Sequence, residues 1–162
     1  CFLERNLFDP LRISAAQTFL FDALTKDLVT ECKNMDLVIR EKGGIDLMVV
    51  GIGMNGHIGF NEPGVSWERY SHVVDLDQST RAVGQKYFKE PTILQRGITL
   101  GLQHLMESKK VIMMASGEKK ADIIRKALEG DITVELPASI IRKHQNGYSL
   151  LDRDAAKLLT IV

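Results

Sequence analysis

The chain has 162 residues, of which 44% are hydrophobic and 26% are charged, which is typical of a soluble globular domain. Lys and Arg together number 21, as do Asp and Glu, so the formal net charge is zero. This balance argues against a general nucleic-acid binder and against a protein that binds anionic membranes, since both need a basic surplus. No apolar run reaches the roughly 18 residues of a membrane-spanning helix.

The two cysteines and four histidines predict neither a metal site nor a redox motif. Cys1 and Cys32 lack the spacing of either, and the histidines lack the spacing of metal ligands. The N-terminus also lacks the basic and apolar regions of a signal peptide. We therefore expect reduced thiols in a cytoplasmic protein.

The first part of the chain predicts a helix and two strands around a glycine-rich segment. Residues 27–41 have apolar side chains at helical spacing, and Gly43-Gly44 ends this helix. Ile45–Val50 is almost continuously apolar, as expected of a strand covered on both faces. Residues 51–64 are rich in glycine, and residues 71–77 predict the next strand.

The rest of the chain continues this alternation. It predicts a helix from a cap at Ser79 or Thr80 to about Glu90, a strand and helix over 96–107, a strand over 110–116, a helix over 118–129, a short helix over 137–144 and a strand over 147–152. The apolar strand over 110–116 is expected to be covered, with Met113 and Met114 in the core. Alternating elements with short connections predict an α/β fold with a mostly parallel sheet.

Residues 51–64 and 116–120 are the expected functional edge, because ligands bind at the carboxyl ends of parallel strands. Gly51–Gly56 satisfies the G-x-G-x-x-G pattern of dinucleotide-binding proteins. That pattern requires a helix to begin within it, however. Gly59, Pro63 and Gly64 make a helix improbable here, so we do not expect a nicotinamide or flavin cofactor.

The glycine-rich loop instead carries four polar side chains, those of Asn55, His57, Asn61 and Glu62. A histidine with a nearby carboxylate suits general acid–base catalysis near neutral pH. The alternative is a capped turn in which these side chains only satisfy backbone groups.

The segment GIGMNGHIGFNEPG, residues 51–64, resembles the signature of the glucosamine-6-phosphate deaminase and galactosamine-6-phosphate isomerase family. The resemblance continues at residues 79–81, 96–101, 116–121 and 136–139, and covers most of residues 3–148. It implies a three-layer Rossmann-like domain of which residues 1–162 form the C-terminal portion. The implied reaction converts an amino-sugar 6-phosphate to a ketose 6-phosphate and ammonia, without cofactor or metal.

The resemblance also implies roles for five residues. His57 matches the ring-opening base and Glu62 the carboxylate that supports it, while Asn55 matches a position that is Asp or Asn in the family. Arg81 and Lys120 match ligands of the substrate phosphate. An arginine fork and a lysine point charge suit a phosphate dianion. Without the resemblance, both would be interpreted as solvated surface charges.

Two family features have no match in this sequence: the phosphate loop and the Asp-Glu-aromatic motif whose Asp removes the C2 proton. We therefore expect a truncated chain that lacks N-terminal strands and the enolisation base. Position 72 is His and position 74 is Val where some members carry basic effector ligands. This predicts no activation by N-acetylated amino-sugar phosphates.

The expected partner is a small amino-sugar phosphate, of gluco or galacto configuration, and the resemblance is compatible with a homo-oligomer. Two alternatives stay open. One is a hydrolase like 6-phosphogluconolactonase, against which Phe60–Gly64 argues. The other is a module that binds a sugar phosphate without turnover.

Overall fold

In the residues that the structure describes, five strands form two small sheets, and four α-helices accompany them. A computed structural model describes residues 3–22, 24–76, 81, 84–85, 90–91 and 93–160. The strands are β1 Leu47–Gly51, β2 His72–Asp75, β3 Arg96–Thr99, β4 Lys110–Ala115 and β5 Gly147–Leu151. The α-helices are α1 Leu28–Glu41, α2 Leu102–Glu107, α3 Ala121–Glu129 and α4 Arg153–Ala156.

The short helical turns lie at Glu4–Phe8, Ala15–Gln17, Glu118–Lys120 and Pro137–Lys143. The turn at Glu4–Phe8 is π-helical and the other three are 3₁₀-helical. The predicted helix over 118–129 therefore begins with a tight 3₁₀ turn. Ser79, Thr80 and most of the predicted helix they would cap lie outside the described residues.

Local signals explain where α1 begins and ends. The Asp27 carboxylate accepts a hydrogen bond from the Thr30 amide (3.0 Å), which caps the first turn. At the other end, the Gly44 amide donates to the Ile39 carbonyl (2.9 Å). Gly43 and Gly44 both have positive φ values, which glycine adopts without steric cost.

The three-stranded sheet has the order β1-β4-β5 and is parallel throughout. Strands β2 and β3 form a separate antiparallel pair, which α1 contacts. The predicted α/β fold with a mostly parallel sheet is confirmed. Helix α4 was not predicted; Asp152 precedes it and caps it, because its carboxylate accepts a hydrogen bond from the Ala155 amide (2.8 Å).

The core lies on one face of the parallel sheet. Val111 and Met113 of β4 are fully buried there against α2, α3 and the Pro137–Lys143 turn. On the opposite face, Val49 is 56% exposed and Met114 is 50% exposed. The predictions that β1 is covered on both faces and that Met114 belongs to the core are therefore wrong for this chain. The apolar run correctly predicts the strands, but it cannot show which layers are present to cover them.

None of the helices in the described residues has both the length and the apolar character that crossing a membrane requires.

Candidate active site

The loop after β1 is a set of tight turns rather than the start of a helix. The Gly53 amide donates to the His57 carbonyl (2.9 Å), and the Gly56 amide donates to the Gly53 carbonyl (3.1 Å). Residues 52–70 are all described and contain no helix. The loop therefore lacks the helix N-terminus that a dinucleotide pyrophosphate needs, as predicted.

Gly53 provides the space in which the imidazole of His57 lies. A Cβ atom added at Gly53 would be 2.4 Å from Cε1 and Nε2 of the His57 ring. A real Cβ could not occupy that position, so the ring packs directly over the glycine backbone. In this loop, the lack of a side chain at Gly53 therefore makes room for the imidazole of His57.

The structure brings Asn55, His57 and Glu62 together. Asn55 Oδ1 accepts a hydrogen bond from the His57 amide (3.2 Å), and Asn55 Nδ2 donates to Glu62 Oε2 (2.8 Å). The same Oε2 atom lies 3.4 Å from His57 Nδ1. Because Asn55 uses its two polar atoms on different neighbours, it links the backbone of His57 to the carboxylate beside its ring.

The two nitrogens of His57 have different surroundings. Nδ1 is shielded from solvent and makes no hydrogen bond of normal geometry with any described residue, although Glu62 Oε2 is close. Catalytic hydrogen bonds often tighten only when substrate binds. A shortened contact would place the proton on Nδ1, so that Nε2 is the unprotonated nitrogen available to a substrate hydroxyl.

Asn61 and Thr99 hold the loop against the end of β3. The Thr99 hydroxyl accepts from the Phe60 amide (3.2 Å), and Asn61 Nδ2 donates to the carbonyls of Ile58 (2.8 Å) and Leu100 (2.9 Å). Asn61 is only 1% exposed. This buried side chain is adjacent to Glu62 in the chain and therefore fixes the backbone from which the carboxylate extends.

Lys120 reaches the same loop from the end of β4. Its Nζ donates a hydrogen bond to the carbonyl of Ile52 (2.5 Å). Ile52 directly precedes Gly53, over which the His57 ring packs. Burial lowers the pKa of Lys120 below its usual value of 10.5, because desolvation penalises the charged ammonium. A partly desolvated cation is well suited to bind an anion, which would restore the lost electrostatic stabilisation.

Asp152 positions the turn that carries Lys120. Both of its carboxylate oxygens accept from the Gly117 amide, at 3.0 and 3.1 Å, while Oδ1 also caps α4. Gly117 has φ +86° and begins the turn Glu118–Lys120. The sequence reasoning did not single out Asp152, which it placed as the last residue of the predicted strand over 147–152; an Asp at a strand end is a helix-cap signal that could have identified it.

A cavity of about 540 Å³ opens at the carboxyl ends of β1, β4 and β5. Its polar lining includes Ser116, Lys120 and Asp152. The volume is within the range of roughly 300–1,000 Å³ that small-molecule sites occupy. His57 does not line this cavity. Its ring packs over Gly53, and Lys120, which does line the cavity, donates a hydrogen bond to the carbonyl of the preceding residue, Ile52.

Arg81 is not part of this hydrogen-bonded cluster. Its Nε donates to the Leu76 carbonyl (2.6 Å), at the end of β2, and its side chain is exposed. Its neighbours at 77–80 and 82–83 lie outside the described residues. The structure therefore links four of the five predicted site residues through contacts, and the hydrogen bond described for Arg81 is to Leu76 rather than to any of these four.

A family model and similar curated proteins place the chain in the same protein family. A family model described as glucosamine-6-phosphate isomerases/6-phosphogluconolactonase matches residues 1–150. A glucosamine-6-phosphate deaminase of Halalkalibacterium halodurans is 37% identical over 161 residues, which are 99% of this chain and 65% of the relative. One from Clostridium perfringens is 39% identical over 98% of this chain and 66% of the relative.

Solved structures show the same likeness. A monomeric glucosamine-6-phosphate deaminase has a TM-score of 0.92 and 34% identity over 98% of this chain and 66% of that chain. A 6-phosphogluconolactonase from Trypanosoma brucei has a TM-score of 0.62 at 18% identity, a likeness of fold alone. The chain thus spans about 65% of the length of the curated relatives named above.

Proposed function

This chain belongs to the family of glucosamine-6-phosphate isomerases and 6-phosphogluconolactonases, and from that premise we propose that it carries the ring-opening and phosphate-binding part of an amino-sugar 6-phosphate deaminase. The observation that carries the proposal is the contact cluster of Asn55, His57 and Glu62, with Lys120 bonded to the same loop. The relatives at 37–39% identity are named glucosamine-6-phosphate deaminases, which supports this activity over lactone hydrolysis.

Ring opening requires a group that moves one proton between two oxygens of the sugar. Neutral His57 Nε2 removes the proton of the anomeric hydroxyl as the C1–O5 bond breaks and the C1 carbonyl forms. The resulting imidazolium then protonates O5, so His57 returns to its neutral form. Glu62, 3.4 Å from Nδ1, stabilises the transient imidazolium.

Phosphate binding is assigned to Lys120 at the carboxyl end of the parallel sheet, with Ser116 beside it in the cavity. Arg81 is proposed as a second phosphate ligand on the strength of the motif resemblance alone. Removal of the C2 proton is assigned to no residue of this chain, because no segment matches the family motif that carries the base.

The proposal is tested by separating ring opening from deamination. Exchange between the anomers of glucosamine 6-phosphate and galactosamine 6-phosphate, followed by NMR, reports ring opening alone. We expect the chain to accelerate exchange of one epimer and to release no ammonia. His57→Gln should reduce the acceleration by about 10²–10⁴-fold, as expected for loss of a general base.

Glu62→Gln should also slow the anomer exchange. Its matched control is Glu68→Gln, which changes an exposed glutamate in the same segment between β1 and β2 and should leave the exchange rate unchanged. Equal rates for His57→Gln and the unchanged chain would contradict the ring-opening role. Binding of either sugar phosphate without any acceleration would instead support a non-catalytic binding module, and hydrolysis of 6-phosphogluconolactone would support the lactonase alternative.

A further inference from the structure

The segment Thr133–Ser139, which we call the brace, runs beside the loop that follows β1 and has no role in the proposed chemistry. It forms two backbone hydrogen bonds with that loop. The Ala138 amide donates to the Gly56 carbonyl (2.9 Å), and the Gly64 amide donates to the Val134 carbonyl (2.9 Å). The acid–base pair of the proposed site lies between these two glycines in the chain. The brace therefore holds both ends of the stretch that carries the pair.

The bond at Gly56 fixes the peptide unit from which His57 extends. A peptide unit is planar, so the Gly56 carbonyl and the His57 amide belong to one rigid group. The carbonyl accepts from the Ala138 amide, while the His57 amide donates to Asn55 Oδ1 (3.2 Å). The brace and Asn55 thus hold opposite sides of the same peptide. A rotation of this peptide would displace the His57 side chain and break its backbone bond to Asn55.

The side chain of Leu136 fills the space beside Gly56. A Cβ atom added at Gly56 would overlap Cδ1 of this leucine, and Gly56 has φ +85°, so the close approach depends on glycine. Leu136 also packs against the buried core cluster, which includes residues of α3 and β4. The leucine therefore lies between the core and the residue that directly precedes His57, and it transmits the position of one to the other.

Ser139 closes the brace into a turn that presents Leu136 in one orientation. The residue is fully buried, and its hydroxyl accepts from the Thr133 amide (3.0 Å) and donates to the Thr133 carbonyl (3.2 Å). The Leu136 amide donates to the same carbonyl (3.1 Å). Pro137, the next residue, has a φ value that its ring restricts. The two ends of the brace are therefore bonded to each other as well as to the loop.

We propose that Leu136 is a positioning residue for ring opening, which acts through Gly56 on the His57 ring and on the contact of that ring with Glu62. This inference rests on the proposed function, because it gives Leu136 a part in the same proton transfer. His57 Nδ1 and Glu62 Oε2 are 3.4 Å apart. A displacement of the loop by about 1 Å would therefore separate the pair and move the ring away from the substrate.

The test compares Leu136→Ala with Leu128→Ala. Leu128 lies on α3 and, like Leu136, is a partly buried leucine that packs against the core, so both variants lose the same atoms. At a saturating concentration of the amino-sugar 6-phosphate that the chain accelerates, Leu136→Ala should slow anomer exchange by about 10²-fold, the cost of misplacing a catalytic group by an ångström. Leu128→Ala should retain the original rate. Leu136→Met, which conserves the side-chain volume, should restore most of it.

The substrate concentration that gives half the maximal rate should change little in Leu136→Ala. The reason is that Lys120, the proposed phosphate ligand, is bonded to the Ile52 carbonyl, outside the stretch that the brace holds. A general loss of folded protein would lower the rate of Leu128→Ala as well, so the comparison separates positioning from stability.

Amide hydrogen exchange measures the brace without relying on the proposed chemistry. Leu136→Ala should accelerate exchange of the Gly64 and His57 amides, whose hydrogen bonds hold the loop, relative to their exchange in Leu128→Ala. Equal amide exchange in the two variants, equal slowing of anomer exchange by both, or no recovery in Leu136→Met would each overturn the inference. If the unchanged chain did not accelerate anomer exchange, the proposed function would fail, and the amide exchange would still decide whether the brace holds the loop.

Discussion

At the scale of single residues, the amide of Asn55 links the members of the proposed acid–base cluster. It donates to Glu62 Oε2 (2.8 Å) and accepts from the His57 backbone (3.2 Å), so it aligns the carboxylate with the ring. An aspartate at position 55 would instead place two carboxylates in contact, where like charges repel. The asparagine avoids that repulsion and adds a hydrogen bond to the carboxylate.

Gly53→Ala should displace the His57 ring, because the new methyl group would lie 2.4 Å from it. We expect ring opening to fall by about 10²-fold, the cost of misplacing a catalytic group by an ångström, with a much smaller change in phosphate affinity. The rate of anomer exchange measures the loss of ring opening, and titration with phosphate measures the change in phosphate affinity. Gly51→Ala, at the end of β1 directly before the loop, is the control, because its methyl group would meet no atom within 4 Å outside the neighbouring residues of the chain. Similar losses in both variants would contradict the seating role.

Phosphate binding should weaken as the pH rises through the pKa of Lys120, since only the protonated ammonium attracts the anion. That pKa is lowered by burial, so the loss should begin at a lower pH than for an exposed lysine. Calorimetric titration with inorganic phosphate from neutral pH to about pH 10 measures it.

Lys120→Arg should remove this pH dependence, because a guanidinium stays charged throughout the range. Lys119→Met, at the neighbouring position, should preserve it. If phosphate binding by Lys120→Arg still weakened over the same pH range, a group other than Lys120 would be the cause.

The turn between β4 and α3 is the element that delivers Lys120 to the site. It is held by a residue distant in sequence, since Asp152 follows β5 and binds the Gly117 amide through both carboxylate oxygens. The same carboxylate caps α4. Asp152 thus connects the segments that follow β4 and β5, beside the 540 Å³ cavity at the ends of these strands.

Asp152→Ala should destabilise the fold by about 1 kcal/mol, as loss of a helix cap does. It should also weaken phosphate binding by releasing the turn that carries Lys120. Chemical denaturation and phosphate titration measure the two effects. Asp154→Ala, an acidic residue in the first turn of α4 that does not bind Gly117, should affect phosphate binding much less. Equal weakening in both variants would contradict the positioning role.

For the whole molecule, the distribution of apolar side chains is one-sided. The core residues pack between the parallel sheet, α2 and α3, while the opposite sheet face is exposed. Stability should therefore depend on one face only, and the other face should be available for association.

Ile124→Ala should cost about 2–5 kcal/mol of unfolding free energy, because this α3 side chain is fully buried and its truncation leaves a cavity. Ile93→Ala should change it by no more than about 0.5 kcal/mol, since Ile93 is 86% exposed. Denaturant unfolding measures both. A small effect at Ile124 would show that the one-sided core is not the source of stability.

Much of the fold was predictable because its signals are local. Apolar runs identified β1 and β4, glycines marked the end of α1, and the alternation of elements indicated an α/β fold. The pairing of β2 with β3 and the separation of the two sheets were not predictable, because partners along a strand edge are chosen by contacts distant in sequence. The exposure of Met114 was missed because an apolar run predicts a strand but does not show which layers cover its two faces.

The sequence by itself determined the family, the strand and helix order, and the presence of Asn55, His57 and Glu62 on one short loop, since each depends on residues near one another in the chain. Only the tertiary structure decided that Lys120 bonds to that loop, that Asp152 holds its turn, and that one sheet face is uncovered. These facts depend on packing between segments 30 to 70 residues apart, and no local pattern encodes which of many compatible partners will meet.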